Sequence, residues 1–307
     1  MQIYLPIAEL PVDVLLVIGM SFAVGFISGM FGIGGGFLMT PLLIFIGVPT
    51  AVAVASEAPQ IAASAFTGTL AYRRRKAIDV KLGSVLLAGG FVGTGLGVWF
   101  FNVMRAAGQL DAVIAISYVV LLGAIGGAML VESARSLLWG RASQPVAAPT
   151  GKRSLIDRLP LKMRFPRSMI HVSVLPLVAL GVFIGFVGAV LGIGGGFILV
   201  PVLVYMFRVP TAVVVGTSLF QILITMLAAT VLHATVNASV DAILAVLLML
   251  GGSIGAQFGT RVGQKLRGEQ LRLLLSLLLL AVGARFATDL VLPPADPFSV
   301  SLAEKPR

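Results

Sequence analysis

Gly32-Ile33-Gly34-Gly35-Gly36-Phe37 returns, residue for residue, as Gly192-Ile193-Gly194-Gly195-Gly196-Phe197, an offset of 160. The surroundings repeat with it. Pro41 returns as Pro201, Val48-Pro49-Thr50-Ala51-Val52 as Val209-Pro210-Thr211-Ala212-Val213, and Gln60 as Gln221. Gly89, Gly93 and Gly97 return as Gly251, Gly255 and Gly259, by which point the offset has grown to 162. The chain is therefore an internal duplication, and the fold of one half is the fold of both.

Each glycine cluster interrupts apolar sequence. Glycine costs a helix about 1 kcal/mol relative to alanine, so a cluster of them marks a break rather than a continuous helix. A helix restarting at Phe37 or Phe197 presents unpaired backbone N–H groups and the positive end of its dipole, which suits an anion without any charged side chain. Gly34, Gly35, Gly36, Gly194, Gly195 and Gly196 are accordingly candidate substrate-binding positions. A tight turn or close helix packing is the competing reading. A dinucleotide fingerprint is excluded, because Phe37 and Phe197 stand where its last glycine belongs and no βαβ context surrounds them.

Working outward, apolar runs occupy residues 11–31, the short 37–47, 50–72, 80–101 and 110–131, then 172–191, the short 197–207, 211–232, 240–260 and 271–291. Composition agrees with membrane spans: 58% of the 307 residues are hydrophobic and 11% charged, against roughly 25% charged in a soluble domain. The expected fold is all-α, a polytopic transmembrane helical bundle of two repeats with glycine-broken helices. Residues 1–131 form the first transmembrane repeat, 132–170 a basic cytoplasmic linker, 171–292 the second repeat and 293–307 a tail. No Lys or Arg precedes Arg73, so the basic start of a cleaved signal peptide is missing and the first span is expected to stay.

The net charge of +10 sits in loops: Arg73, Arg74, Arg75, Lys76 and Lys81, a second group between Arg135 and Arg167, and Arg261, Lys265, Arg267 and Arg272. That clustering marks cytoplasmic loops and, without interleaved aromatic residues, argues against nucleic-acid binding. Counting each short run as a crossing places all three groups inside and makes the second repeat inverted. Re-entrant short runs would instead give parallel repeats, with residues 261–272 outside, against the charge rule. The glycines spaced by four, Gly89, Gly93 and Gly97 with Gly251, Gly255 and Gly259, read as packing seams.

The helix after each Val-Pro-Thr turn carries the polar residues. Ser56, Glu57 and Gln60 correspond to Thr217, Ser218 and Gln221, and the second and third of each set share a face at i, i+3. Polar groups at membrane depth face the bundle interior, so Ser56, Gln60, Thr217, Ser218 and Gln221 join the candidate substrate set. Glu57 is the one acid well inside an apolar run. Burial disfavours the charged form of a carboxyl, which makes Glu57 the candidate proton-coupling residue, with a structural hydrogen bond as the competing reading. Arg285 and Asp289 read as a local i, i+4 ion pair, while His233, Trp99 and Tyr72 read as interfacial residues. Zero cysteines and two histidines leave no metal or redox set, no catalytic triad or Walker sequence can be assembled, and neither an enzyme activity nor a cofactor is expected.

The duplicated GIGGGF, followed in each half by a proline, a Val-Pro-Thr-Ala-Val turn and a Gln-bearing helix, resembles the sulfite exporter TauE/SafE family of bacterial membrane transporters. The resemblance covers roughly residues 12–291 and rests on residues 32–36 and 192–196 with Gln60 and Gln221. It implies a multi-pass protein of the bacterial cytoplasmic membrane. Its partners would be the lipid bilayer, a small sulfur-containing anion such as sulfite, a sulfonate or sulfoacetate, and protons if export is coupled. Family members have about eight spans, against ten segments counted here. A passive anion channel or a membrane assembly protein would share the spans; the first would show no dependence on a proton gradient, the second no dependence on the central polar residues.

Overall fold

The computed structural model describes residues 2–31, 36–74, 76–139, 161–207, 209–263 and 268–291. Each half opens on a β-hairpin: β1 (Gln2–Leu5) pairs antiparallel with β2 (Leu10–Asp13), and β3 (Lys162–Phe165) with β4 (Ile170–Ser173). The registers correspond, with Leu5 opposite Leu10 and Phe165 opposite Ile170. The turns correspond too, Glu9 and Met169 holding φ of 53° and 54°. The second hairpin lies partly in the segment assigned above to the linker, and neither hairpin is among the sequence expectations. Pro6 and Pro166, separated by the same offset of 160, were the available signal.

The remaining elements of the described chain are helices. The first half contains α1 (Val14–Phe31), α2 (Gly36–Phe45), α3 (Thr50–Arg74), α4 (Val80–Ala106) and α5 (Leu110–Trp139), the last running past residue 131. The second contains α6 (Val174–Leu191), α7 (Gly196–Pro201), α8 (Thr211–Thr235), α9 (Ala242–Gly263) and α10 (Gly268–Val291). Five described helical stretches are long and apolar enough to cross a bilayer: Val80–Ala106, Leu110–Val131, Val174–Leu191, Val213–Thr235 and Ala242–Gly259. The protein is a helical, multi-pass membrane protein.

The first step of the drift, from 160 to 161, has a structural cause. Between Pro201 and Val209 the second half holds one residue more than the first does between Pro41 and Val48. There α7 continues as a π-helical turn, Val202–Met206, closed by Phe207 N–H donating to the Val202 carbonyl at 3.4 Å. A π-turn accommodates one inserted residue without ending the helix, so the repeat regains its register at the Val-Pro-Thr turn.

Packing interlocks the halves. Gly251, Gly255 and Gly259 of α9 face the backbone carbonyls of Ile18, Phe22 and Phe26 on α1, so these two helices run in the same direction. Gly89, Gly93 and Gly97 of α4 face the carbonyls of Val178, Val182 and Phe186 on α6 in the same way. A Cβ at any of these glycines would overlap backbone of the facing helix, which is the close approach that small residues permit between membrane helices. The self-paired helices run oppositely. Gly68 of α3 lies against Leu219 of α8 while Gly216 lies against Tyr72; Gly126 of α5 lies against Leu279 while Gly283 lies against Leu122. The first helix of each half is thus held by the fourth helix of the other.

Candidate functional site

Around the glycine motifs the two halves meet. Gly192, Gly194 and Gly195 hold φ of 70°, 71° and 71°, a left-handed conformation that side-chain-bearing residues rarely adopt, which is why this break is built of glycine. α7 restarts at Gly196 with no side-chain cap. Of the first copy, Gly34 and Gly35 lie outside the described residues; Gly36 is buried, and a Cβ there would come within 2.7 Å of the Gly192 carbonyl oxygen. Phe37 and Phe197 follow, their ring centroids 5.9 Å apart. The two motifs therefore touch.

Beside them α3 and α8 present their glutamines. Gln60 and Gln221 are both fully buried, and among the described residues neither the amide nitrogen nor the carbonyl oxygen of either has a hydrogen-bond partner. Each lies against a glycine of the helix that runs alongside, Gln60 against Gly252 of α9 and Gln221 against Gly90 of α4, positions related by the repeat. A buried polar group without a partner costs about 1–3 kcal/mol, and here the cost is incurred twice at corresponding positions. Ser218 is also buried with its hydroxyl unpartnered.

Glu57 is fully buried as well. One of its carboxyl oxygens accepts a hydrogen bond from the Thr40 hydroxyl of α2; the other has no partner among the described residues. Thr40 lies against Gly192, and nearby Tyr118 of α5 donates its hydroxyl to the Leu191 carbonyl at 2.8 Å. The acid of the first half is thereby tied to the break of the second. In the second half Val200 and Ser218 stand where Thr40 and Glu57 stand in the first.

Ser56 and Thr217 are placed differently from the other candidates. Ser56 Oγ accepts the backbone N–H of Asp241 at 2.8 Å, and Thr217 Oγ1 accepts that of Asp79 at 3.0 Å. Asp79 caps α4 by accepting from the N–H groups of Lys81 and Leu82, and its second oxygen accepts from Ser168 N–H and hydroxyl at 3.0 and 2.7 Å. Asp241 caps α9 through Ile243 and Leu244 and accepts from Ile7 N–H at 2.9 Å. Each hydroxyl therefore anchors a helix cap, and each cap anchors the other half's hairpin. A polar residue before an apolar run, Asp79-Val80 and Asp241-Ala242, was the signal for the caps; Thr40, Tyr118, Gly90 and Gly252 had none tying them to the site.

One further expectation changes, and one falls outside the described residues. His233 is buried rather than interfacial: its Nε2 lies 3.0 Å from the Ala189 carbonyl and its Nδ1 2.9 Å from Asn237 Nδ2. The Asp289 side chain lies outside the described residues, and Arg285 stacks over the Phe45 ring at 5.7 Å.

Comparison with known proteins agrees with this architecture. The family described as Sulfite exporter TauE/SafE matches residues 17–286. The Probable membrane transporter protein YunE of Bacillus subtilis is 24% identical over 281 residues, which cover 89% of this chain and 96% of that protein. YjnA of the same organism, also named a probable membrane transporter protein, is 25% identical over 272 residues, covering 88% and 98%. A Probable membrane transporter protein of Xylella fastidiosa is 29% identical over 256 residues, covering 81% and 84%. No solved structure matches the chain. With a match across most of its length and both repeats built around the glycine break, the chain belongs to the sulfite exporter TauE/SafE family.

Proposed function

We propose that this membrane transporter moves small sulfur-containing oxyanions, of the sulfite, sulfonate or sulfoacetate type, outward across the cytoplasmic membrane, and that Glu57 couples the movement to protons. The observation that carries the reading is the pair of buried, unpartnered glutamines at corresponding positions of the two repeats. Their amide N–H groups, the Ser218 hydroxyl and the backbone N–H groups at Gly36, Gly195 and Gly196 would donate to the oxyanion. Neutral donors hold an anion without burying a second charge, and each bond to an ionised ligand contributes about 1.5–3 kcal/mol. Glu57 adjoins this set. As a neutral acid it tolerates an anion nearby and as a carboxylate it repels one, so proton uptake and substrate binding support each other.

The reading also takes the repeats as inverted in the membrane, with residues 73–81, 132–170 and 261–272 cytoplasmic. The opposite directions of α3 and α8, and of α5 and α10, support it, because a two-fold axis lying in the membrane plane relates equivalent helices in that way. Cysteine at exposed Lys76 should label from the cytoplasmic side and cysteine at exposed Ala234 from outside; labelling of both from one side would overturn the inversion. The function itself is tested with purified protein in liposomes, by measuring sulfite and sulfonate flux with and without a pH gradient. Flux of these anions driven by the gradient is the expected result, and equal flux in protein-free liposomes would refute it.

A further inference from the structure

We propose that the face formed by the β3–β4 hairpin and the turn between α3 and α4 docks onto anionic phospholipid headgroups. Arg73, Arg74, Lys76, Lys81, Lys162, Arg164 and Arg167 are all exposed on these two segments. The segments form one surface: Lys81 Nζ donates to the Arg164 carbonyl at 3.1 Å, and Arg167 Nη1 to the Ile78 carbonyl at 2.7 Å. Asp79, the acid within the turn, does not neutralise these cations, since its carboxylate is buried and taken up by its cap and by Ser168.

The fold does not require this charge. The corresponding β1–β2 hairpin has the same register and the same left-handed conformation at the turn, yet carries Ile7 and Glu9 where this one carries Arg167 and Met169. The partner is a lipid because of where the cations lie. They flank the last turn of α3 and the first turn of α4, the level at which lipid-facing apolar surface begins, and among them Met169, Leu161 and Val80 are 86%, 67% and 59% exposed. Exposed apolar side chains interleaved with basic ones at a span's end match the boundary between acyl chains and phosphates.

The test follows thermal unfolding of the full chain in detergent with added phosphatidylglycerol, phosphatidylcholine or inorganic phosphate. Phosphatidylglycerol should raise the midpoint by roughly 2–4 °C, with no rise from the other two. Substituting Arg73→Gln, Arg74→Gln, Lys162→Gln and Arg164→Gln together should abolish the rise, since each cation near an anionic surface changes affinity roughly fivefold. Glu9→Gln on the other hairpin should preserve it. If the fourfold variant does not fold, about 0.5 M salt added to the unaltered protein should remove the rise by screening. An equal rise with phosphatidylcholine, a rise with phosphate alone, or a phosphatidylglycerol effect untouched by both substitution and salt would overturn the proposal. None of these readouts depends on transport.

Discussion

The helices α3 and α8 carry the same glutamine in the same buried position, but three residues earlier α3 has Glu57 and α8 has Ser218. Across from them α2 offers Thr40 to the acid, while the second half has Val200 at that place. On the proposed reading, what the repeats share holds a ligand symmetrically between them, and what only one possesses responds to protons without a counterpart. The proposal thus assigns binding and coupling to different positions, and substitutions at each class of position can pull them apart.

The largest effect is expected where the halves agree. Replacing Gln60 and Gln221 together by Leu should lower sulfite flux at least about 100-fold, since two bonds to an anion of about 1.5–3 kcal/mol each are lost while the side-chain volume is kept. Each single substitution should cost about 10-fold or more. Flux in proteoliposomes measures both, and a strong loss from one glutamine with none from the other would break the symmetric reading.

Packing substitutions come next. Gly93→Ala and Gly255→Ala each set a Cβ against a backbone carbonyl of the facing helix, and each should lower stability by about 1–3 kcal/mol. Substrate affinity of the folded fraction should be unchanged. Gly36→Leu combines both kinds of damage, because its side chain would meet the Gly192 carbonyl and Ile61. It should lose binding and stability together, and wild-type stability in that variant would contradict the close contact of the two motifs.

Glu57→Gln should change affinity less than the glutamine substitutions or Gly36→Leu do, within a few-fold of the unaltered protein at low pH. Binding in the unaltered protein should weaken as rising pH ionises Glu57; in the variant it should be flat with pH, and flux should no longer follow the proton gradient. An unchanged pH profile in Glu57→Gln would leave the Thr40 bond as the residue's whole role. Smallest of all, Ser56→Ala and Thr217→Ala should each destabilise by about 0.5–1.5 kcal/mol through a lost cap anchor, with flux per folded molecule maintained. A thermal shift assay beside a flux assay distinguishes the two.

Most of the membrane architecture was legible in the chain itself. Apolar runs, the glycine breaks, the duplication and the family follow from composition and from a motif recurring at a nearly constant offset. The glutamine pair and Glu57 also stand out, because a polar residue inside an apolar run must face the protein interior whatever the fold. Periodicity reports that a side chain is buried, however, and not what it meets. Ser56 and Thr217 looked like site residues on that ground, yet their partners, Asp241 and Asp79, lie 185 and 138 positions away. The hairpins were missed for a related reason: four-residue strands in short segments carry too little alternation to be read, and the other half's capped helices secure their turns. Sequence alone determined the class, the repeat and the burial of the two glutamines and Glu57, all legible from the pattern of residues along the chain. Tertiary packing alone decided which polar groups remain unpartnered beside the two glycine motifs and which anchor caps, because hydrogen-bond partners are chosen by segments brought together from opposite halves of the chain.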